Sequence, residues 1–163
     1  MNTIGNKFRF TSFGESHGVA IGGVIDGCPS GMTIDYDLIQ QDLLRRKAEG
    51  SLRAQNEKDE IEWLSGIFEG KTLGSPIAFM IRNTDAHSED YETLKTVYRE
   101  GHADWVYEQK YGLRDWRGGG RASGRITVAW VVAGSIAKQI LRDRNIQIKA
   151  ECTCVNEEND GEV

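Results

Sequence analysis

Residues 117–141 constrain the fold more tightly than any other part of the chain. Thr127 to Leu141 is apolar on nearly every face and contains Gly134. It reads as a helix buried on all sides, as in a layered α/β core. Directly before it stands Arg117-Gly118-Gly119-Gly120-Arg121-Ala122-Ser123-Gly124-Arg125. Three consecutive glycines free the backbone to turn its N–H groups inward as a nest for an anion. The positive end of the following helix then points at whatever the loop holds. Such a loop fits a phosphate-bearing ligand, and the competing reading is a flexible glycine turn with solvated arginines. It is not a Walker loop, which ends in Gly-Lys-Ser or Gly-Lys-Thr. Nor is it the dinucleotide fingerprint, which, begun at Gly118, needs glycine where Ser123 stands.

Upstream, residues 8–13 begin with the apolar/polar alternation of a half-buried strand, and Val19 to Ile25 reads as a second strand. The loop between them, Gly14-Glu15-Ser16-His17-Gly18, carries a histidine. Asp35 to Lys47 reads as a helix with Tyr36, Ile39 and Leu43 on one face. Its acids lie at the start and Arg45, Arg46 and Lys47 at the end. That polarity suits the helix dipole, so the basic trio has a structural explanation beside a ligand-binding one. Glu60 to Leu64 and Ile77 to Ile81 read as further strands, the second preceded by the Gly74-Ser75-Pro76 turn. Gly50 to Lys58 reads as a polar loop, and Ser88 to Glu100 as a polar connection or short helix. The alternation of Ile146, Ile148 and Ala150 fits a final strand over Asn145 to Val155. One domain is therefore predicted over residues 1–155, with an acidic, disordered tail over 156–163.

A chain of 163 residues suffices for one domain with a real core, or for a shortened piece of something larger. Hydrophobic residues at 39% and charged residues at 28% are ordinary for a soluble globular protein. No apolar run reaches membrane-spanning length and the first residues lack a signal-peptide core, which predicts a cytoplasmic protein without a membrane partner. The formal charge of −5 comes largely from Glu157, Glu158, Asp160 and Glu162 near the C-terminus. In the near-neutral remainder the cations cluster at Arg45, Arg46, Lys47 and Arg53, and again at Arg114, Arg117, Arg121 and Arg125. Local basic clusters in a neutral body suit a small anionic ligand better than nucleic acid. Cys28, Cys152 and Cys154 are odd in number and form no Cys-x-x-Cys pair, which argues against a structural disulfide or zinc site.

Two of the three histidines sit in unusual settings. His17 lies among small residues, and His102 lies in Glu100-Gly101-His102-Ala103-Asp104 upstream of the glycine loop. Histidine is the side chain best suited to moving a proton near neutral pH. Each also admits a plainer reading as a hydrogen-bonded turn residue. His87, amid Asp85, Ser88 and Glu89, reads as surface.

Several motifs resemble chorismate synthase. They are Phe13-Gly14-Glu15-Ser16-His17-Gly18, Leu64-Ser65-Gly66-Ile67-Phe68-Glu69-Gly70-Lys71-Thr72, Ile81-Arg82-Asn83-Thr84-Asp85 and His102-Ala103-Asp104. Lys110-Tyr111-Gly112-Leu113-Arg114-Asp115 and Trp116 to Arg125 follow in the same order. The resemblance runs to about residue 150 and implies the family's β-α-β sandwich, of which this chain holds the N-terminal part. It also implies a homotetramer and a lyase of the shikimate pathway that makes chorismate for aromatic amino acid biosynthesis. The reaction is trans 1,4-elimination of phosphate from 5-enolpyruvylshikimate 3-phosphate, and it requires reduced FMN without net redox change. By resemblance His17 protonates the departing phosphate and His102 protonates the reduced flavin. Arg121, Ala122 and Ser123 match the segment that binds FMN, Arg46 matches a phosphate-binding arginine, and Arg53 stands one step from a second. The resemblance leaves two sources of reducing power open, NADPH used directly or a separate reductase.

The departures from the family pattern are specific. Lys47-Ala48-Glu49 replaces Arg-Pro in a basic turn, and a straight count puts the second phosphate-binding arginine on Leu52. Glu100-Gly101 replaces Pro-Ser beside His102, and Ile126 and Trp130 stand where a glutamate and an arginine are expected. The family continues well beyond this length, and its second half supplies more of the flavin site and a catalytic aspartate. A non-catalytic relative that binds flavin or phosphate, or self-associates, is therefore the alternative.

Overall fold

The computed structural model describes residues 2–47, 59–84 and 88–150. In chain order the elements are β1 (Thr3–Ile4), β2 (Arg9–Phe13), β3 (Ala20–Asp26), α1 (Tyr36–Arg46) and β4 (Ile61–Ser65). Then come β5 (Ile67–Phe68), β6 (Lys71–Thr72), β7 (Ile77–Arg82), α2 (Asp104–Tyr111) and α3 (Thr127–Arg142). Five strands form a sheet in the order β1-β2-β3-β7-β4, with every neighbouring pair antiparallel. The short hairpin β5-β6 stands apart from it.

Alternation along the strands sets one face of the sheet against the helices. Phe10 and Ser12 of β2, Ile21 and Ile25 of β3, and Ile77, Phe79 and Ile81 of β7 are all buried. Between them the rings of Phe10 and Phe79 stack with centroids 6.5 Å apart. A Cβ on Gly23 would lie 2.3 Å from the Phe10 ring, so the missing side chain in mid-strand is what admits both aromatics.

Helix α3 lies on β3 and β2, and α1 packs beside α3. Asp35 caps α1 by accepting a hydrogen bond from the Leu38 N–H at 3.0 Å. The two helices are also joined by polar pairs. Gln139 accepts from the Asp35 N–H and donates to the Asp35 carbonyl, and Asp42 takes Ser135 Oγ at 2.6 Å and Lys138 Nζ at 2.6 Å. These buried polar groups are therefore satisfied within the helix pair.

Two expectations are corrected. Helix α3 is not buried on all sides: Val128, Ala129, Val132, Ala133 and Ile136 face inward, whereas Gly134 is exposed and Ala137, Lys138 and Leu141 are only half-covered. It is covered on that inward side by the sheet and α1. Nor do residues 145–150 form part of a strand. Ile146 closes a turn onto the Leu141 carbonyl at 3.0 Å, and Ile146 and Ile148 are exposed, with no strand paired to them among the described residues. Residues 151–163 and the Gly50–Lys58 loop lie outside the described residues.

The register of the sheet collects the chemistry at one end. Phe13 pairs with Gly22, Ala20 with Arg82, and Ile61 with Ile81. The loop after β2, the segment after β7 and Asp59 before β4 consequently emerge side by side, next to the start of α3 and the end of α1.

Candidate functional site

The glycine loop lies between the two histidines singled out above. Gly118, Gly119 and Gly120 all have left-handed backbones, with φ of 53°, 88° and 54°. A Cβ on Gly118 would fall 1.9 Å from Cε1 and from Nδ1 of His17, and one on Gly119 would fall 2.9 Å from Nε2 of His102. Glycine at these positions is thus required twice over, by backbone conformation and by the close approach of two imidazoles. That second reason is invisible in the sequence, where the glycines read only as an anion nest.

His17 is held by its neighbours in the β2–β3 loop. Ser16, buried, donates from Oγ to the Gly118 carbonyl at 3.1 Å and lies 3.1 Å from Nδ1 of His17. The Ser16 N–H donates to the Gly120 carbonyl, and Tyr91 meets the imidazole edge to face at 5.0 Å. Asn83 fixes the loop from the β7 side. Its Nδ2 donates to the carbonyls of Glu15 at 3.0 Å and Gly18 at 2.9 Å.

His102 stands in a cluster of charge. Its Nδ1 lies 2.9 Å from Oδ1 of Asp104, a residue only 4% exposed. Arg99 grips the same carboxylate with Nε and Nη2, both at 2.9 Å, and with its backbone N–H at 3.1 Å. Arg114 approaches Oδ1 at 3.5 Å. The Arg99 hydrogen bonds outweigh the cost of burial and hold the Asp104 carboxyl well below the usual carboxylate range. The turn into His102 closes through its N–H onto the Arg99 carbonyl, with Gly101 at φ 68°. Gly101 therefore occupies the left-handed turn position that favours glycine, so the replacement of Pro-Ser by Glu100-Gly101 fits the local backbone.

A second charged group lies beneath the β2–β3 loop. Asp59, with a side chain 3% exposed, accepts from Nη2 of Arg46 at 2.9 Å and Nη1 of Arg125 at 2.6 Å, and Lys47 Nζ lies 3.7 Å away. Burial pushes the Asp59 carboxyl up, but the hydrogen bonds from Arg125 and Arg46 win and hold it below its ordinary value. Arg125 also donates to Oδ1 of Asn83 at 3.3 Å. Asn83 thus links the end of α1, the start of α3 and the loop of His17. In the sequence Asn83 and Asp104 stand only as members of longer motifs, and Asp59 belongs to none. A buried polar side chain leaves no periodicity to find.

The remaining predicted residues divide. Arg121 and Ala122 line a cleft of about 350 Å³ together with His102, Tyr107, Tyr111 and Arg114. Arg121 reaches back to the Gly14 carbonyl at 2.8 Å and Ser12 Oγ at 2.6 Å, so among the described residues its hydrogen-bond partners are neutral. Ser123 instead caps its own turn, with Oγ accepting from the Arg125 N–H at 3.2 Å. Arg46 stands with Asp59, away from the cleft walls. Arg53 and His87 lie outside the described residues. Ile126 and Trp130, where charged residues were expected, pack against the core, Trp130 edge-on to Phe10 at 5.7 Å. Arg117 is held by Asp115 through a two-point fork, both contacts at 2.8 Å.

Comparison with known proteins agrees with these motifs. The family model described as chorismate synthase matches residues 8–162. The chorismate synthase of Parabacteroides distasonis is 58% identical over 152 residues, which is 92% of this chain and 42% of that protein. That of Porphyromonas gingivalis is 51% identical over 98% of this chain and 45% of its own length. A crystal structure of chorismate synthase superposes with a TM-score of 0.61 at 36% identity, over 85% of this chain and 35% of that one. The chain therefore spans less than half the length of the curated relatives it matches. Since sequence agreement covers nearly all of the chain and the fold follows it, this chain belongs to the chorismate synthase family.

Proposed function

We propose that this protein takes part in the family's reaction, the reduced-FMN-dependent trans 1,4-elimination of phosphate from 5-enolpyruvylshikimate 3-phosphate to give chorismate. The observation that carries the reading is the seating of two imidazoles on consecutive glycines of one loop. A redox-neutral elimination of phosphate needs a proton donor for the leaving oxygen and fixed cations nearby, and this end of the sheet offers both.

The cleft beside His102 fits a flavin in its chemistry. It combines tyrosine rings for a flat heterocycle with the Arg121 guanidinium, whose partners here are neutral oxygens. Arg121 and Ala122 are the residues that would hold the cofactor. When bound, reduced FMN supplies the electron-rich ring that the elimination depends on. His102 holds a proton at the cleft wall. His17 holds one for the phosphate oxygen, its ring fixed by Ser16 and Tyr91. The group around Asp59 orients Arg46 and Arg125, and arginine suits the forked geometry of a phosphate. NADPH as reductant, a tetrameric assembly and a cytoplasmic setting belong to the same proposal through family membership.

Chorismate formation from 5-enolpyruvylshikimate 3-phosphate, with chemically reduced FMN and without oxygen, tests this. Product that disappears on His17→Ala supports the reading. No product from the folded chain refutes it for this chain alone, and means that the family's second half is required or that the chain is a binding relative without the chemistry.

A further inference from the structure

We infer that Asp104 is a positioning residue that fixes the proton of His102 on Nδ1 and so leaves Nε2, over Gly119, as the atom that exchanges protons with the cleft. The inference deepens the proposed function and rests on it only for the use to which that proton is put.

Two neighbours make opposite demands on Nδ1. Asp104 Oδ1, at 2.9 Å, is ionised and can only accept a hydrogen bond. Arg99 Nη2, at 3.1 Å, can only donate. If Nδ1 carried a lone pair, that pair would face the carboxylate oxygen at hydrogen-bond distance, which is repulsive. With Nδ1 protonated, the carboxylate is satisfied, and Arg99 keeps the bond from Nη2 to Oδ1 at 2.9 Å that it makes in any case. By this choice Arg99 gives up its contact with Nδ1 but keeps its bonds to the carboxylate, whereas by the other Asp104 loses a charge-assisted bond and faces a lone pair. The carboxylate therefore decides the tautomer. Its own position is set by the two bonds from Arg99, the Arg99 backbone N–H and the nearby Arg114, so the ring is oriented by a group that is itself fixed.

The opposite side of the ring supports the same assignment. Nε2 is the His102 atom nearest to where a Gly119 side chain would begin, at 2.9 Å. His102, Gly119, Arg121 and Ala122 all line the one cleft. Glycine at that position places no side chain over Nε2, as an exchanging atom requires. An imidazole whose Nδ1–H is held by a carboxylate is a standard way to fix the tautomer of an acid–base histidine.

The test is nitrogen-15 NMR of the histidine rings of the whole chain at alkaline pH, where the imidazole is neutral, with His102→Gln used to assign the signals. The expected result is a protonated Nδ1 and a lone-pair Nε2 for His102, reverting to Nε2–H in Asp104→Asn. A wild-type ring carrying its proton on Nε2 overturns the inference, as does an unchanged tautomer in folded Asp104→Asn. If Asp104→Asn fails to fold, the wild-type spectrum still decides. In turnover, Asp104→Asn should lower kcat about 10²–10⁴-fold with little change in KM, and an unchanged kcat overturns the role in catalysis. An Nδ1–H tautomer in a chain that forms no chorismate supports the positioning and refutes only the proposed reaction.

Discussion

The imidazole of His17 stands where a side chain on Gly118 would have to be, since a Cβ built there falls 1.9 Å from both Cε1 and Nδ1. Gly118 also has φ of 53°, a conformation that costs other residues about 1–2 kcal/mol. Gly118→Ala should therefore displace the ring and lower stability by about 1–3 kcal/mol. Gly124→Ala has open space around it and should change stability by only about 0.5 kcal/mol. Urea unfolding of both variants checks the contrast. If the damage to chorismate formation acts through His17, Gly118→Ala added to His17→Ala should cause little further loss.

Asn83 ties two carbonyls of the His17 loop to strand β7 through one amide group. Asn83→Ala leaves the Glu15 and Gly18 carbonyls without that donor and takes an acceptor from Arg125. We expect a loss of about 1–3 kcal/mol. Amide exchange should rise first in residues 14–18 rather than in the interior of β3. Uniform acceleration across the sheet would show that Asn83 supports the whole domain instead of this loop.

What the sequence made legible follows from how each signal arises. Strands β2, β3 and β7 and helix α1 bury one face and leave alternation or helical spacing behind, so their positions were readable within a residue or two. Helix α2 was not, because most of its residues are partly exposed and only Asp104 is buried, which leaves no apolar stripe. The isoleucines of 145–150 alternate as a strand would, but a strand needs an edge to pair with, and that is a property of the fold. At the site, His17 and His102 stood out by their small or turn-forming neighbours. The carboxylates that organise the cations, Asp59 and Asp104, carry no such mark and emerge only from the contacts they make.

Acid should weaken the Asp59 cluster only below the ordinary carboxylate value. Its carboxyl is held below the ordinary value of 3.8, so the stability it confers is complete above that value and is lost as pH falls through the lower folded one. At neutral pH, Asp59→Ala leaves Arg46 and Arg125 facing each other and should cost about 3–5 kcal/mol. The gap between wild type and variant should narrow steadily as pH drops below about 4. Denaturant unfolding from pH 7 downward measures it, and a gap constant down to pH 2 would contradict the assignment.

Arg121 has two roles that substitution can separate. Its fork spans the Gly14 carbonyl and the hydroxyl of buried Ser12, which fastens the glycine loop to the end of β2, and it also faces the cleft. Lysine keeps the charge but carries its donors on one nitrogen, so it cannot reproduce the fork in which Nη1 and Nη2 each take one oxygen. Arg121→Lys should therefore lower stability by about 1–2 kcal/mol, with one partner left short of a donor. If charge is what the flavin phosphate requires, the same variant should retain more FMN affinity than Arg121→Ala, which loses both fork and charge. Titration of FMN fluorescence against each variant, with unfolding measured in parallel, distinguishes the roles. Equal FMN affinity in the alanine variant and wild type would confine Arg121 to the structural one.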